Sequence, residues 1–182
     1  SASGTAYAGG LVGYNYSEAI STSSAEGNVS ANAPSTFTGG LVGRNEYSKL
    51  SDVFATGTVT GKDNVGGLVG LNQNSNIINA NTAATSIVTA SGNNVGGLIG
   101  NNYSTNSNTY SIKNSHALGE VNANSSNNVG GLIGRNENSN LGDVVAKGAV
   151  TGKDNVGGLV GLNLNGNITN ANTAATSIVT AS

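Results

Sequence analysis

The chain has 182 residues, with 28 glycines, 30 asparagines, one proline and no cysteine, methionine or tryptophan, and its 7 basic and 9 acidic residues leave a net charge of −2. Lack of cysteine excludes a disulfide framework and thiolate-ligated zinc, scattered cations make no nucleic-acid footprint, and no apolar run reaches the roughly 20 residues of a membrane helix. Its regular aliphatic residues separate it from a disordered tail, while the missing methionine and leader fit a processed or excised segment.

Along the chain one heptapeptide recurs: GGLVGYN at 9–15, GGLVGRN at 39–45, GGLVGLN at 66–72, GGLIGNN at 96–102, GGLIGRN at 130–136 and GGLVGLN at 157–163. The starts are 30, 27, 30, 34 and 27 residues apart, and 27, 30 and 34 sum to 91, half the chain. Residues 62–91 match 153–182 at 27 of 30 positions, so a three-unit block has been copied.

The units share an inner rhythm. The first carries aliphatic anchors at Leu11, Ile20 and Val29, the second at Leu41, Leu50 and Val59, nine residues apart. The third reads Leu68, Ile77 and Ile87 with one residue extra, and the fifth Leu132, Leu141 and Val150. Longer intervals absorb insertions, one holding Pro34 and another NYSTNSNTY between Leu98 and Ile112, as surface corners permit. Nine residues suffice for a strand of about five and a corner of about four. Gly, Asn, Ser and Asp flank the segments while Val, Ile and Thr fill them, and no helical apolar spacing persists.

These patterns predict an all-β fold, a right-handed parallel β-helix (β-solenoid) with three strands per coil and about six coils. Residues 1–182 form a single solenoid of two 91-residue blocks, 1–91 and 92–182. A two-sheet roll is the alternative. Stacking places Leu11, Leu41, Leu68, Leu98, Leu132 and Leu159 in one column, with Val12, Val42, Val69, Ile99, Ile133 and Val160 beside it. Strict alternation buries only one of the two unless a glycine bulge interrupts the strand, and the leucines are the expected inward set. Asn15, Asn45, Asn72, Asn102, Asn136 and Asn163 close every motif. They form a rung-to-rung amide ladder or hold left-handed corners.

The repeated G-L-[VI]-G-x-N core, with Ala55-Thr56-Gly57-Thr58-Val59 and Ala146-Lys147-Gly148-Ala149-Val150 between copies, resembles the GLUG repeat. That family occurs in bacterial surface and secreted proteins, including filamentous-haemagglutinin-like adhesins and immunoglobulin A peptidases, outside their catalytic parts. The resemblance covers all six units and implies no catalytic residue in this chain. The third and sixth units depart from the Ala-x-Gly-x-Val pattern, reading NANTAATSIVTAS.

The chain offers little chemistry. His116 is the only histidine. Asp52 and Asp143, Asp63 and Asp154, and Glu46 and Glu137 are block copies 91 residues apart, three rungs or roughly 14 Å, beyond the reach of glycoside hydrolysis. One carboxylate per GKDNVGG loop is poor provision for calcium. The tyrosines break the copying. Tyr7, Tyr14, Tyr16, Tyr47, Tyr103 and Tyr110 all precede residue 111, and Tyr14, Tyr16, Tyr47 and Tyr103 form a candidate ligand surface near one corner.

The expected function is that of a structural stalk or shaft of a secreted or cell-surface bacterial adhesin, supporting attachment or filament assembly, with no enzyme activity, metal or cofactor. The alternative is a carbohydrate- or matrix-binding module using the tyrosine-bearing corner, and a polysaccharide-cleaving β-helix ranks below it. Expected partners are neighbouring repeats or head-to-tail copies of the chain, and host glycans or matrix proteins under the alternative. Nucleic acid and membrane insertion are not expected, and the location is extracellular or at the bacterial surface.

Overall fold

A computed structural model describes residues 6–31, 37–106, 109, 111–174 and 178–181; Pro34 and Tyr110 lie outside them. All described strands pair in parallel with their counterparts one coil away, forming four sheets of six strands. The second rung shows one coil: strands Phe37–Gly39, Val42–Glu46, Lys49–Thr56 and Thr58–Gly61. The chain is a parallel β-solenoid of six coils, with four strands per coil where three were expected.

The fourth strand arises inside the motif. Its Gly-Gly-Leu turns a corner so tight that a Cβ on Gly39 would lie 2.6 Å from the Leu68 carbonyl oxygen and 2.8 Å from the Gly70 nitrogen. Only glycine fits there. Beyond the corner, the consecutive N–H groups of Leu41 and Val42 both donate to the Leu68 carbonyl, at 2.9 and 3.0 Å. Two donors on one acceptor break the alternation as a bulge does. Leucine and its neighbour therefore both face inward: Leu41, Leu68, Leu98 and Leu132, and Val42, Val69, Ile99 and Ile133, are all fully buried. The choice between the two columns does not arise.

The third sheet stacks Ile20, Leu50, Ile77, Ile112, Leu141 and Ile168. The fourth stacks Val29, Val59, Val88, Val121, Val150 and Val179. Here the anchor of the third unit is corrected. Val88, not Ile87, pairs with Val59, and Ile87 points outward beside Thr58. The unit therefore carries two extra residues between anchors, 11 from Ile77 to Val88 against 9 from Leu50 to Val59, and an anchor misplaced by one residue falls on the opposite face. Each fully buried aliphatic side chain contributes about 1.5–3 kcal/mol.

Corners and kinks use residues that tolerate positive φ. Asp52, Asn79, Asn114, Asp143 and Asn170 occupy one such column at φ 48–55°. Short Asn and Asp side chains bond locally in this conformation, which is why they populate it.

Candidate functional site

The motif asparagines form a continuous ladder on the second sheet. Nδ2 of Asn15 donates to Oδ1 of Asn45 at 2.8 Å, and the bond repeats from Asn45 to Asn72 at 2.9 Å, Asn72 to Asn102 at 2.8 Å, Asn102 to Asn136 at 2.7 Å and Asn136 to Asn163 at 2.8 Å. The second amide hydrogen is anchored three residues on. Asn15 donates to the Glu18 carbonyl, Asn72 to Ser75, Asn136 to Ser139 and Asn163 to Gly166, at 2.7–3.0 Å. Because a carbonyl accepts only from the NH2 group, this second bond fixes which end of each amide faces the next rung. The ladder therefore runs one way, donating toward the C-terminal coil.

A second ladder, not read from the sequence, lies on the first sheet. Nδ2 of Asn94 donates to Oδ1 of Asn64, Asn128 to Asn94 and Asn155 to Asn128, each at 2.9 Å, in the opposite direction. The signal was available, since all four residues stand four positions before their motif leucine. In the first two rungs that position holds Tyr7 and Phe37 instead.

These two rings start an aromatic row. Tyr7 stacks on Phe37 at 5.7 Å and 5°, and meets Tyr14 at 5.5 Å. Tyr14 meets Tyr16 at 6.1 Å, and Tyr16 meets Tyr47 edge-on at 5.8 Å. The four tyrosines are 36–55% exposed. Beneath the row the Arg44 guanidinium lies 5.1 Å from the Tyr14 ring centroid and 5.9 Å from those of Tyr7 and Phe37, within cation–π range. Arg44 pairs with Glu46 at 2.7 Å, and Glu46 also accepts from the Tyr14 hydroxyl at 2.7 Å. That bond holds the Tyr14 phenol above its usual range. Burial works against the Arg44 charge, but the Tyr7 hydroxyl and Glu46 outweigh it and raise the guanidinium further.

Tyr103 is not part of this row. It shares a column with Tyr16, but Glu46 and Gln73 stand between them, so three rungs or roughly 14 Å intervene. Identical phase fixes the column, and the motif that each residue follows, the first or the fourth, fixes the height.

The carboxylates mostly serve the coil. Asp52 accepts from Asn79 Nδ2 at 2.9 Å, its copy Asp143 from Asn170 Nδ2 at 3.1 Å, and Asp63 from the Asn93 backbone N–H at 2.7 Å. His116 is half-buried and aligned with Asn81 and Val145. Among the described residues no cluster of three or more His, Cys, Asp or Glu is placed to hold a metal ion, and no helix is long and apolar enough to cross a membrane.

The chain matches the family described as the GLUG motif over residues 4–30, 38–60 and 125–151. No curated protein and no solved structure matches it.

Proposed function

We propose that this GLUG-repeat chain is a shaft: a non-enzymatic structural module of a secreted or cell-surface bacterial protein, of the adhesin kind, that holds a binding region away from the cell. The observation that carries this reading is the asparagine ladder, which passes through all six rungs without interruption. A column of buried amides paired on both sides resists local opening, because a break leaves unsatisfied groups costing about 1–3 kcal/mol each. The absence of cysteine is compatible with a rod held by backbone pairing in an oxidising setting.

Shafts of this kind lengthen by adding coils, and the last coil is suited to that. Val179 is 46% exposed where its block copy Val88, covered by the following rung, is 1% exposed. The same face, identical at 27 of 30 positions between residues 62–91 and 153–182, thus already receives a rung of its own kind within the molecule. Neighbouring repeats or a second copy of the chain are the partners this face fits.

The test is reach. Fused between a surface anchor and an epitope, one copy should raise the epitope by roughly 25–30 Å, six rungs at the β spacing, and two copies in tandem by twice that. A Gly/Ser linker of equal residue count gains height only as the square root of its length. Height that fails to scale with copy number would refute the shaft.

A further inference from the structure

The aromatic row belongs to no structural column, and this singles it out. Its positions in later rungs are filled differently: Tyr7 and Phe37 stand where Asn64, Asn94, Asn128 and Asn155 build a ladder. Tyr14 is aligned with Arg44, Leu71, Asn101, Arg135 and Leu162, and Tyr16 with Glu46, Gln73, Tyr103, Glu137 and Leu164. Apart from Tyr103 in the fourth rung, rungs three to six fold without a ring at these positions, so the coil does not require the row. Tyr47 is held at φ 51°, in a column where Asn74, Asn138 and Asn165 take φ 48–54°. A bulky side chain is strained in that region, and strain retained at one rung out of several points to use.

From this geometry we infer that Tyr7, Tyr14, Tyr16 and Tyr47, with Phe37, form a binding site for an extended neutral glycan chain. Each tyrosine offers an apolar face and a hydroxyl tip, the two surfaces that a pyranose presents in return. Ring centroids follow one another at 5.5–6.1 Å, a spacing comparable with one sugar unit per ring. The local charge is already spent. Arg44 and Glu46 neutralise each other at 2.7 Å, Glu46 also accepts from Tyr14, and the exposed flank carries one charge of each sign, Glu18 and Lys49, so the surface offers no net charge to an anionic ligand. Flanking residues on the outer face are polar and exposed: Glu18, Ser21, Thr22, Ser24 and Lys49. Tyr7 and Phe37 lie in paired strands of the first sheet, Tyr14 and Tyr16 in one of the second, and Tyr47 at the corner beyond Glu46, so four of the five rings are held by paired strands and the site is largely preorganised.

The inference stands apart from the shaft, since a rod with no ligand keeps its reach and a ligand site does not require a rod. The test titrates the full chain with neutral hexasaccharides of glucose, xylose, mannose and N-acetylglucosamine, with a heparin-derived hexasaccharide and a proline-rich peptide as the other arms. Binding is read by intrinsic tyrosine fluorescence and by NMR up to millimolar ligand. We expect at least one neutral hexasaccharide to bind, more tightly than its disaccharide. Tyr16→Ala and Tyr47→Asn should each weaken it roughly tenfold or more, and Tyr103→Ala should leave it unchanged. Tyr47→Asn installs the residue that three other rungs use, Asn74, Asn138 and Asn165, so its loss of binding cannot be attributed to misfolding if the melting temperature holds. Binding of none of the neutral sugars, binding confined to heparin or to the peptide, or equal losses for Tyr103→Ala would each overturn the inference.

Discussion

Asn72 donates through one amide hydrogen to Asn102 Oδ1 at 2.8 Å and through the other to the Ser75 carbonyl at 3.0 Å, while its own Oδ1 accepts from Asn45 at 2.9 Å. Every polar valence it directs at these neighbours is used, in a site with no exposed surface. Asn72→Ala leaves the Asn45 amide, the Asn102 oxygen and the Ser75 carbonyl without that partner. The expected loss is about 2–4 kcal/mol, less than three full penalties because relaxation and water recover part. Asn163, exposed at the ladder's end, donates only to Gly166 across its open side. Asn163→Ala frees one hydrogen of Asn136 and the Gly166 carbonyl at a rung that water reaches, and should cost about 1–2 kcal/mol, less than Asn72→Ala. Urea midpoints measure both, and equal losses would remove the ladder's claim on stability.

Much of this was legible in the sequence because copying repeats a phase, and phase is what a parallel register preserves. The parallel coil, the leucine column and the asparagine column all follow from Leu41, Leu68 and Asn72 recurring at one offset. Two features were not legible. A nine-residue rhythm counts buried anchors and not corners, so the bend at Gly39–Leu41 that makes a fourth strand left no trace in it. Ile87 and Val88 are adjacent β-branched residues, and only the pairing with Thr58 and Val59 decides which faces in. The separation of Tyr103 from Tyr16 was legible too, since one follows the fourth motif and the other the first.

The inward leucines set the scale of the core. Leu68 is fully buried, whereas Lys62 is exposed. Leu68→Asp places an unpaired charge among aliphatic side chains and should unfold the middle coils, while Lys62→Ala should change stability by under about 0.5 kcal/mol. The graded companion is Leu68→Ala, expected to cost about 2–5 kcal/mol, against a smaller loss for Leu11→Ala, since Leu11 is 48% exposed in the first rung. Thermal melts of the four variants check the order.

Two glycines of similar burial should respond in opposite ways. A Cβ on Gly66 would collide with the Val69 carbonyl and lie 2.7 Å from the Gly100 nitrogen, both rigid backbone. Gly66→Ala should therefore cost more than about 3 kcal/mol. At Gly142 a Cβ meets only Thr169 Oγ1 at 3.6 Å and Lys113 Cγ at 3.9 Å, and the aligned positions in neighbouring rungs carry Lys113 and Thr169 themselves. Gly142→Ala should stabilise by about 0.5–1 kcal/mol, by restricting the unfolded chain and filling space already present. Differential scanning calorimetry separates the two, and a destabilised Gly142→Ala would show that the third sheet is packed more tightly there than the distances indicate.

The aromatic row should also carry a pH signature. The protonated Tyr14 phenol is the form that donates to Glu46, and the Glu46 charge further disfavours the phenolate, so its pKa in the folded chain lies above the ordinary 10.0. A group raised on folding contributes stability that is present in full below its unfolded value and is lost as pH rises through its folded value. The contribution is therefore intact at neutral pH and fades only in strong alkali, and the Tyr14–Glu46 bond stays made across the physiological range. An ultraviolet titration of the wild type minus that of Tyr14→Phe isolates this phenol, with a midpoint expected above 10.0. Glu46→Gln removes the charge while keeping an acceptor, and should bring the midpoint down toward the ordinary value. An unmoved midpoint in Glu46→Gln would mean that Glu46 does not govern Tyr14, and the neutralised Arg44–Glu46–Tyr14 group beneath the row would lose its support.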